Sequence, residues 1–417
     1  MEDNFNMSKI SLAIIVKGTS DEVPKLDRCL ASVAPFVDGI FITLTSPKEK
    51  LAEAEKVCAK YKVNVSYFQP TIEVTKKTVD WVKTNIGYTP FIKPGDKIFV
   101  FDEARNYNFS QVPKDYKWIL WLDCDDVFRK GENLRQIIQN TEQQNATAIY
   151  MEYFYQVVAD EKDEEVKQVI IKQVRERIVL NDGSYKWQGI IHEVLIEENS
   201  TYKVFTPDCD IVHLPVDGAL VASTERNIRN LEVAIYKTEG KDNRYIYYLA
   251  KSFSDLRQPE YDILSRNLMF KHLLGENKTD WEEERAQVWE ALANSYIRNG
   301  EYGNAISALM NGLIDYPESP TLFIALANVY VMKGEWGRAL FWLNIGQIIP
   351  QKPTILAKYP MDTTIKILEI KYNVFRNLNR IQELKQTVDD IRKLLPNHPL
   401  FNNPDIRDDV TPVLRSF

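Results

Sequence analysis

Along the first third of the chain, apolar runs alternate with amphipathic stretches. "ISLAIIV" at residues 10–16 is apolar except for Ser11 and predicts a buried strand. "EVPKLDRCLASVAPFV" then carries Leu26, Cys29, Leu30 and Val33 at helical spacing. "GIFITLT" predicts a second strand, "SPKEKLAEAEKVCAKYK" an amphipathic helix and "VNVSYFQ" a third strand. Such a βαβαβ opening implies a parallel sheet with right-handed crossovers. Residues 70–100, with Pro90, Pro94 and Gly95, lose the pattern and predict an insertion or mobile loop. "KWILWL" then restores a strand, a helix is expected from about 132 to 143, and "AIYMEYFYQVV" and "VKQVIIKQVRERIVL" predict two later strands around the charged turn "ADEKDEE".

After residue 222 the pattern is helical only, which divides the chain into an α/β domain, 1–222, and an all-α domain, 223–417. "ALANSYIRNGEYGNAISAL" from Ala291 is matched by "ALANVYVMKGEWGRALFWL" from Ala325, 34 residues later, aligning Gly300 with Gly334, Glu301 with Glu335, Gly303 with Gly337 and Ala305 with Ala339. A helical period of this length resembles the tetratricopeptide repeat, with small residues letting paired helices approach. Two units are short of a stable stack, so degenerate flanking units are expected at 247–264 and 367–388.

Composition narrows the class. The 417 residues exceed one ordinary core, and 44% hydrophobic with 27% charged residues is the balance of a globular protein. No apolar run approaches a membrane span. The net charge of −7 weighs against a nucleic-acid duplex as the default partner. Cys29, Cys58, Cys124 and Cys209 are scattered without a Cys-x-x-Cys pair, which fits free thiols in a reducing cytoplasm, and no secretion signal is read at the N-terminus.

The chemistry concentrates at "WILWLDCDDVF", where a fully apolar strand runs into three carboxylates. Read as a continuing strand, Asp123 and Asp125 point one way and Cys124 the other, while Asp126 faces solvent or caps the next turn. Two hard oxygen ligands at the carboxyl edge of an α/β sheet suit a divalent cation. "KWQGIIHEV" adds Trp187, His192 and Glu193, and "DCDIVHLP" adds His213, whose imidazole beside carboxylates favours Mn2+ and permits Mg2+.

In order, "SLAIIVKG", "FDEARN", "WLDCDD", "WQGIIHE" and "IVH" resemble glycosyltransferase family 2, with a GT-A nucleotide-diphospho-sugar transferase fold. With tetratricopeptide-like repeats following, the order resembles the bacterial and phage branch that includes the bacteriocin S-glycosyltransferases. The resemblance implies a metal-dependent inverting transfer from a nucleotide-sugar donor, UDP-linked, to a saccharide, a peptide side chain or a modified nucleobase. Asp123, Asp125 and His213 would form the metal site. Val16, Lys17, Thr43, Arg105, Asn106, Asp123 and Cys124 would line the donor. Glu193 would be the base, with His192 beside it and Trp187 on the acceptor side. The second strand departs from the family pattern, with Thr43, Thr45 and Ser46 where an acidic residue is usual. The repeats could recognise the acceptor or a protein partner, mediate self-association, or only buttress the catalytic domain. Two rival readings are a nucleotidyltransferase, which would want a glycine-rich basic loop that "KGTSDEVPK" does not provide, and a degenerate transferase domain carrying a binding scaffold.

Overall fold

The computed structural model describes residues 8–159, 166–198, 201–214, 220–276, 278–350, 356, 360–396 and 398–402. The expected "ADEKDEE" turn lies mostly outside them. The chain divides into two compact units after Leu256.

The first unit opens with the expected alternation: β1 (Lys9–Val16), α1 (Val23–Val33), β2 (Gly39–Leu44), α2 (Ala52–Lys60) and β3 (Asn64–Tyr67). Residues 70–100 are more ordered than their sequence implies. They contain β4 (Thr71–Glu73), α3 (Lys76–Ile86) and β5 (Lys97–Phe99), with β4 and β5 pairing antiparallel. Helix α3 starts at Thr75, whose hydroxyl accepts the N–H of Thr78, and stops at Gly87, which takes the left-handed conformation at φ 92°. Next come α4 (Phe101–Ser110), β6 (Tyr116–Trp121), β7 (Asp126–Arg129), α5 (Leu134–Gln143), β8 (Ala148–Ala159), β9 (Val166–Leu180), β10 (Tyr185–Gln188), β11 (Val194–Glu197) and β12 (Lys203–His213).

Eight strands form one sheet in the order β3-β2-β1-β6-β9-β8-β12-β7. The expectation of a parallel sheet holds only in part. The pairs β3–β2, β2–β1 and β1–β6 are parallel, but β9 runs antiparallel to both β6 and β8, and β7 antiparallel to β12. The core packs Ile10, Leu12, Ile14, Leu26, Leu30 and Trp118, all essentially inaccessible, between the sheet and its covering helices.

Two further helices, α6 (Leu220–Lys237) and α7 (Asn243–Asp255), stay with this unit, so the compact boundary falls later than 222/223. The cause is visible in α6. Buried Glu232 accepts hydrogen bonds from the Tyr88 hydroxyl and the N–H groups of Phe91 and Ile92, and Val233 joins an apolar cluster with Val74, Val82, Ile92 and Ile98. A helix read from its own periodicity does not disclose which domain supplies its partners. The expected degenerate repeat at 247–264 therefore straddles the boundary.

The second unit is helical throughout its described residues: α8 (Pro259–Leu274), α9 (Glu282–Arg298), α10 (Tyr302–Asp315), α11 (Pro320–Met332), α12 (Trp336–Ile348), α13 (Pro360–Asn377) and α14 (Ile381–Leu394). The turns repeat closely. Gly300, Gly334 and Asn379 have φ of 72°, 71° and 53°, and the next N–H in each case bonds back over five residues, from Glu301 to Tyr296, Glu335 to Tyr330 and Arg380 to Phe375, each at 2.9 Å. Close packing falls on only some of the small residues of the pattern: Ala305 and Ala339 are fully buried, but the paired glycines are not crowded. A Cβ on Gly303 or Gly337 would meet nothing within 4 Å, whereas one on Gly312 would lie 2.9 Å from Trp289 Cβ and one on Gly346 3.0 Å from Phe323 Cβ. Among the described residues no helix is long and apolar enough to cross a membrane.

Candidate functional site

Strand β6 ends at Trp121, and residues 123–126 form a tight turn instead of continuing the strand. The turn closes on itself. Asp126 N donates to the Asp123 carbonyl at 3.0 Å, and Asp123 N donates to the Asp126 carboxylate at 3.0 Å. Asp123 and Asp125 consequently part company, and the strand alternation expected of them fails.

Asp123 turns toward α4, where Arg105 Nη2 donates to its Oδ1 at 2.6 Å. Arg105 Nε reaches Glu193 Oε1 at 2.7 Å, so one guanidinium bridges two carboxylates. That guanidinium rests against two indoles that touch each other edge to face, 5.1 Å from the Trp121 ring centre and 4.7 Å from that of Trp187, whose centres are 4.8 Å apart. Burial disfavours an ionised Asp123, yet Arg105 holds its carboxyl down at about 2.

Asp125 turns to the other side. His213 ends β12, which pairs antiparallel with β7 so that His213 stands opposite Asp126, while Leu214 N donates to the Asp125 carbonyl at 2.9 Å. His213 Nδ1 lies 3.4 Å from Oδ1 of both Asp125 and Asp126, with a hydrogen bond to neither. Burial opposes protonation of this ring, but the two carboxylates outweigh it and push its pKa up to about 10. Donor atoms of Asp125, Asp126 and His213 all fall within 4.8 Å of one another.

Asp126 is the largest departure from the sequence reading. Expected to face solvent or cap the next turn, it is fully buried, and Arg177 Nη1 lies 3.1 Å from its Oδ2 while the Tyr153 hydroxyl donates to Oδ1 at 3.0 Å. Arg177, 1% exposed, sits between Trp121 and Tyr153 at 4.0 and 4.1 Å from their ring centres. Sequence reasoning missed it for a physical reason. The β8–β9 register pairs Ile149 with Ile178 but Tyr150 with Glu176, leaving Arg177 as the extra residue of a bulge. A bulge re-aims a side chain and breaks the period of two that pattern reading relies on. Tyr155, on the same strand as Tyr153, lies parallel to the His213 ring with centroids 5.2 Å apart.

The remaining expected residues divide. Glu193 lies in the cluster through Arg105. His192, at φ 53°, is stacked on Tyr248 at 3.9 Å, and burial, aided by Lys251, Arg244 and Arg226, pushes its pKa down to about 3. It is neutral and turned to α7. Asn106 is engaged with the backbone of Trp187, accepting its N–H at 2.9 Å and donating to its carbonyl at 2.8 Å. Trp187 is buried, and among the described residues its indole N–H has no hydrogen-bond partner. Thr43 is fully buried against Ser66 and Asn108, at 2.8 and 3.0 Å, so its hydroxyl is engaged inside the sheet. Val16 is core, Lys17 is exposed at the end of β1, and Cys124 sits half-buried in the turn.

No family model matches the chain, and no curated protein matches it. Among solved structures, PilF of Pseudomonas aeruginosa is 10% identical, with 43% of this chain and 74% of that chain covered and a TM-score of 0.34. A kinesin-light-chain-like protein of Podosopora anserina with nearly identical TPR-like repeats is 14% identical, with 42% and 85% covered and a TM-score of 0.33. PilW, a type IV pilus biogenesis factor, is 13% identical, with 42% and 88% covered and a TM-score of 0.26. The structural neighbours thus include TPR-like repeat proteins; none of these likenesses bears on activity.

Proposed function

We propose that the first unit is a metal-dependent, inverting glycosyltransferase with a GT-A-like domain, taking a nucleotide-sugar donor, UDP-linked, and that the helical unit presents the acceptor or a protein partner. One observation carries the reading: Asp125, Asp126 and His213 converge at the carboxyl ends of β1 and β6, beside an arginine already bound to two carboxylates. In direct contact there, four carboxylates (Asp123, Asp125, Asp126 and Glu193) meet two guanidiniums, of Arg105 and Arg177. Two negative charges are left over, and a protonated His213 offsets only one. A divalent cation matches the excess, and two oxygens with an imidazole nitrogen fit Mn2+ or Mg2+. The site thereby shifts from the expected Asp123, Asp125 and His213 to Asp125, Asp126 and His213.

When bound, such a cation stabilises the negative charge of a departing diphosphate. The chain's own residues supply the rest. Arg105 is held by Asp123 and Glu193 and backed by the paired indoles of Trp121 and Trp187, oriented at the edge where that charge develops. Glu193 is the candidate base that takes the acceptor proton. Neutral His192 positions the 189–193 loop through its stacking on Tyr248.

A second reading, a catalytically degenerate domain serving as a scaffold, is favoured by the Arg105–Glu193 ion pair, which engages the candidate base. Calorimetry with Mn2+ and a panel of nucleotide sugars, followed by donor hydrolysis, separates the two. The expected result is Mn2+-dependent donor binding and hydrolysis, both lost in Asp125→Ala; Glu193→Gln keeps donor affinity and lowers turnover. An Asp125→Ala protein that binds Mn2+ and turns over like wild type refutes the assignment.

A further inference from the structure

Away from the acidic cluster, the first unit has a half-open cavity of about 410 Å³ between β5 and α6. Residues 225, 226, 229 and 230 share one face of α6, and with Lys97 they bring three cationic side chains, of Lys97, Arg226 and Arg229, to the cavity. Its apolar wall is Phe99 and Phe101, edge to face with centroids 4.8 Å apart, above buried Ile98.

Among the described residues Lys97 and Arg229 make no ion pair, and Arg226 bonds only to the amide oxygen of its neighbour Asn227, at 3.3 Å. Two acids line the same cavity, Glu225 and Asp96, which also accepts the N–H of Lys93 at 2.9 Å, so the three positive charges exceed the negative ones by one. That excess of positive charge favours an anionic ligand.

The walls are also fixed. Asn230 donates to the Phe99 carbonyl at 3.5 Å, and Phe101 N donates to Ile190 O at 3.2 Å. Glu232, just beyond on α6, holds the 88–92 segment by three hydrogen bonds. A cavity framed in this way exists before any ligand arrives, and its volume falls within the roughly 300–1,000 Å³ of ordinary small-molecule sites.

We propose that this cavity binds a small anionic ligand with a flat apolar body, a phosphorylated or carboxylated ring compound whose anion meets Arg226, Arg229 and Lys97 while its ring lies against Phe99 and Phe101. Guanidiniums suit such anions because their N–H groups fork onto two oxygens, and the paired phenyl rings offer an edge and a face to a third. Binding there does not require the cation cluster to be catalytic.

Phenyl phosphate is the probe, titrated calorimetrically into the full chain, with inorganic phosphate as the ring-free comparison. Phenyl phosphate is expected to bind at least fivefold more tightly than inorganic phosphate. Arg226→Ala combined with Arg229→Ala is expected to weaken it about tenfold or more, since hydrogen bonds to a charged group are each worth roughly that factor. Asp125→Asn is expected to leave it unchanged. Both arginines are exposed, so the double variant tests binding without removing a core residue. Unaltered affinity in the double variant, equal affinity for inorganic phosphate, or loss of binding in Asp125→Asn would each overturn the proposal.

Discussion

Asp126→Ala is the sharpest test of how the acidic turn is held. The substitution removes a carboxylate with no solvent exposure, whose partners are the Arg177 guanidinium at 3.1 Å, the Tyr153 hydroxyl at 3.0 Å and the Asp123 N–H at 3.0 Å. Arg177 is 1% exposed, so its charge has no water to turn to. Removing one partner of a buried pair costs about 3–5 kcal/mol, because the other charge is left uncompensated. The flanking rings of Trp121 and Tyr153 are present before and after the change and do not replace the carboxylate. The chain has two compact units, so one melting temperature would mix two transitions. Hydrogen exchange at the amides of β6 and β7 reads the site locally. At about 1.4 kcal/mol per factor of ten, protection there should fall by roughly two to three and a half orders of magnitude. The helices α9 to α12 serve as the internal control and should not change. A fall of less than tenfold would mean that Arg177 does not depend on Asp126, and the charge count at the site would need revising.

The repeat turns make a contrasting pair of expectations. Gly300→Ala places a Cβ in a left-handed conformation at φ 72° and should cost about 1–2 kcal/mol although nothing lies within 4 Å, whereas Gly303→Ala, in a helix and equally uncrowded, should be neutral or stabilising by up to about 1 kcal/mol. Urea denaturation followed by circular dichroism separates the two, and equal effects would refute the turn assignment. His192 should make the first unit acid-sensitive: its folded pKa is about 3 against an ordinary 6.5, so the unfolded chain binds the extra proton between those values and stability falls as pH falls. From pH 6.5 to 5 the loss is at most about 2 kcal/mol, and His192→Phe, which keeps a ring against Tyr248, should flatten that part of the profile; an unchanged slope would show that His192 is not the buried neutral group.

The opening strands and the helical repeat were legible because each rests on local periodicity. Ile10, Leu12 and Ile14 share the core face of β1, and Gly300 and Gly334 mark two copies of one turn. The four candidate groups Arg105, Asp125, Glu193 and His213 come from four separate segments, and the sheet brings them to one edge. Three things escaped pattern reading, each because it depends on tertiary pairing. The 123–126 turn is closed by a side chain reaching back to a backbone N–H, so the strand alternation stops at Trp121. Arg177 is aimed by a bulge. The ownership of α6 and α7 follows from Glu232 and its partners in 88–92, over a hundred residues earlier in the chain.

Trp121 explains why these parts form one site. Its ring has Arg105 5.1 Å away and Arg177 4.0 Å away, and its indole N–H donates to the Glu176 carbonyl at 2.7 Å. The two arginines serve different acids, Arg105 holding Asp123 and Glu193 and Arg177 holding Asp126. Between them they leave two negative charges unmatched, one on the Asp123–Glu193 pair that shares Arg105 and one on Asp125, which lies 3.4 Å from His213. With both guanidiniums within 5.1 Å of its ring centre, the last strand residue of β6 attracts both through its π system. The apolar run before the turn thus does more than anchor a strand. Its final residue draws both arginines to the turn where Asp125 lies beside His213, the position at which a divalent cation would be held.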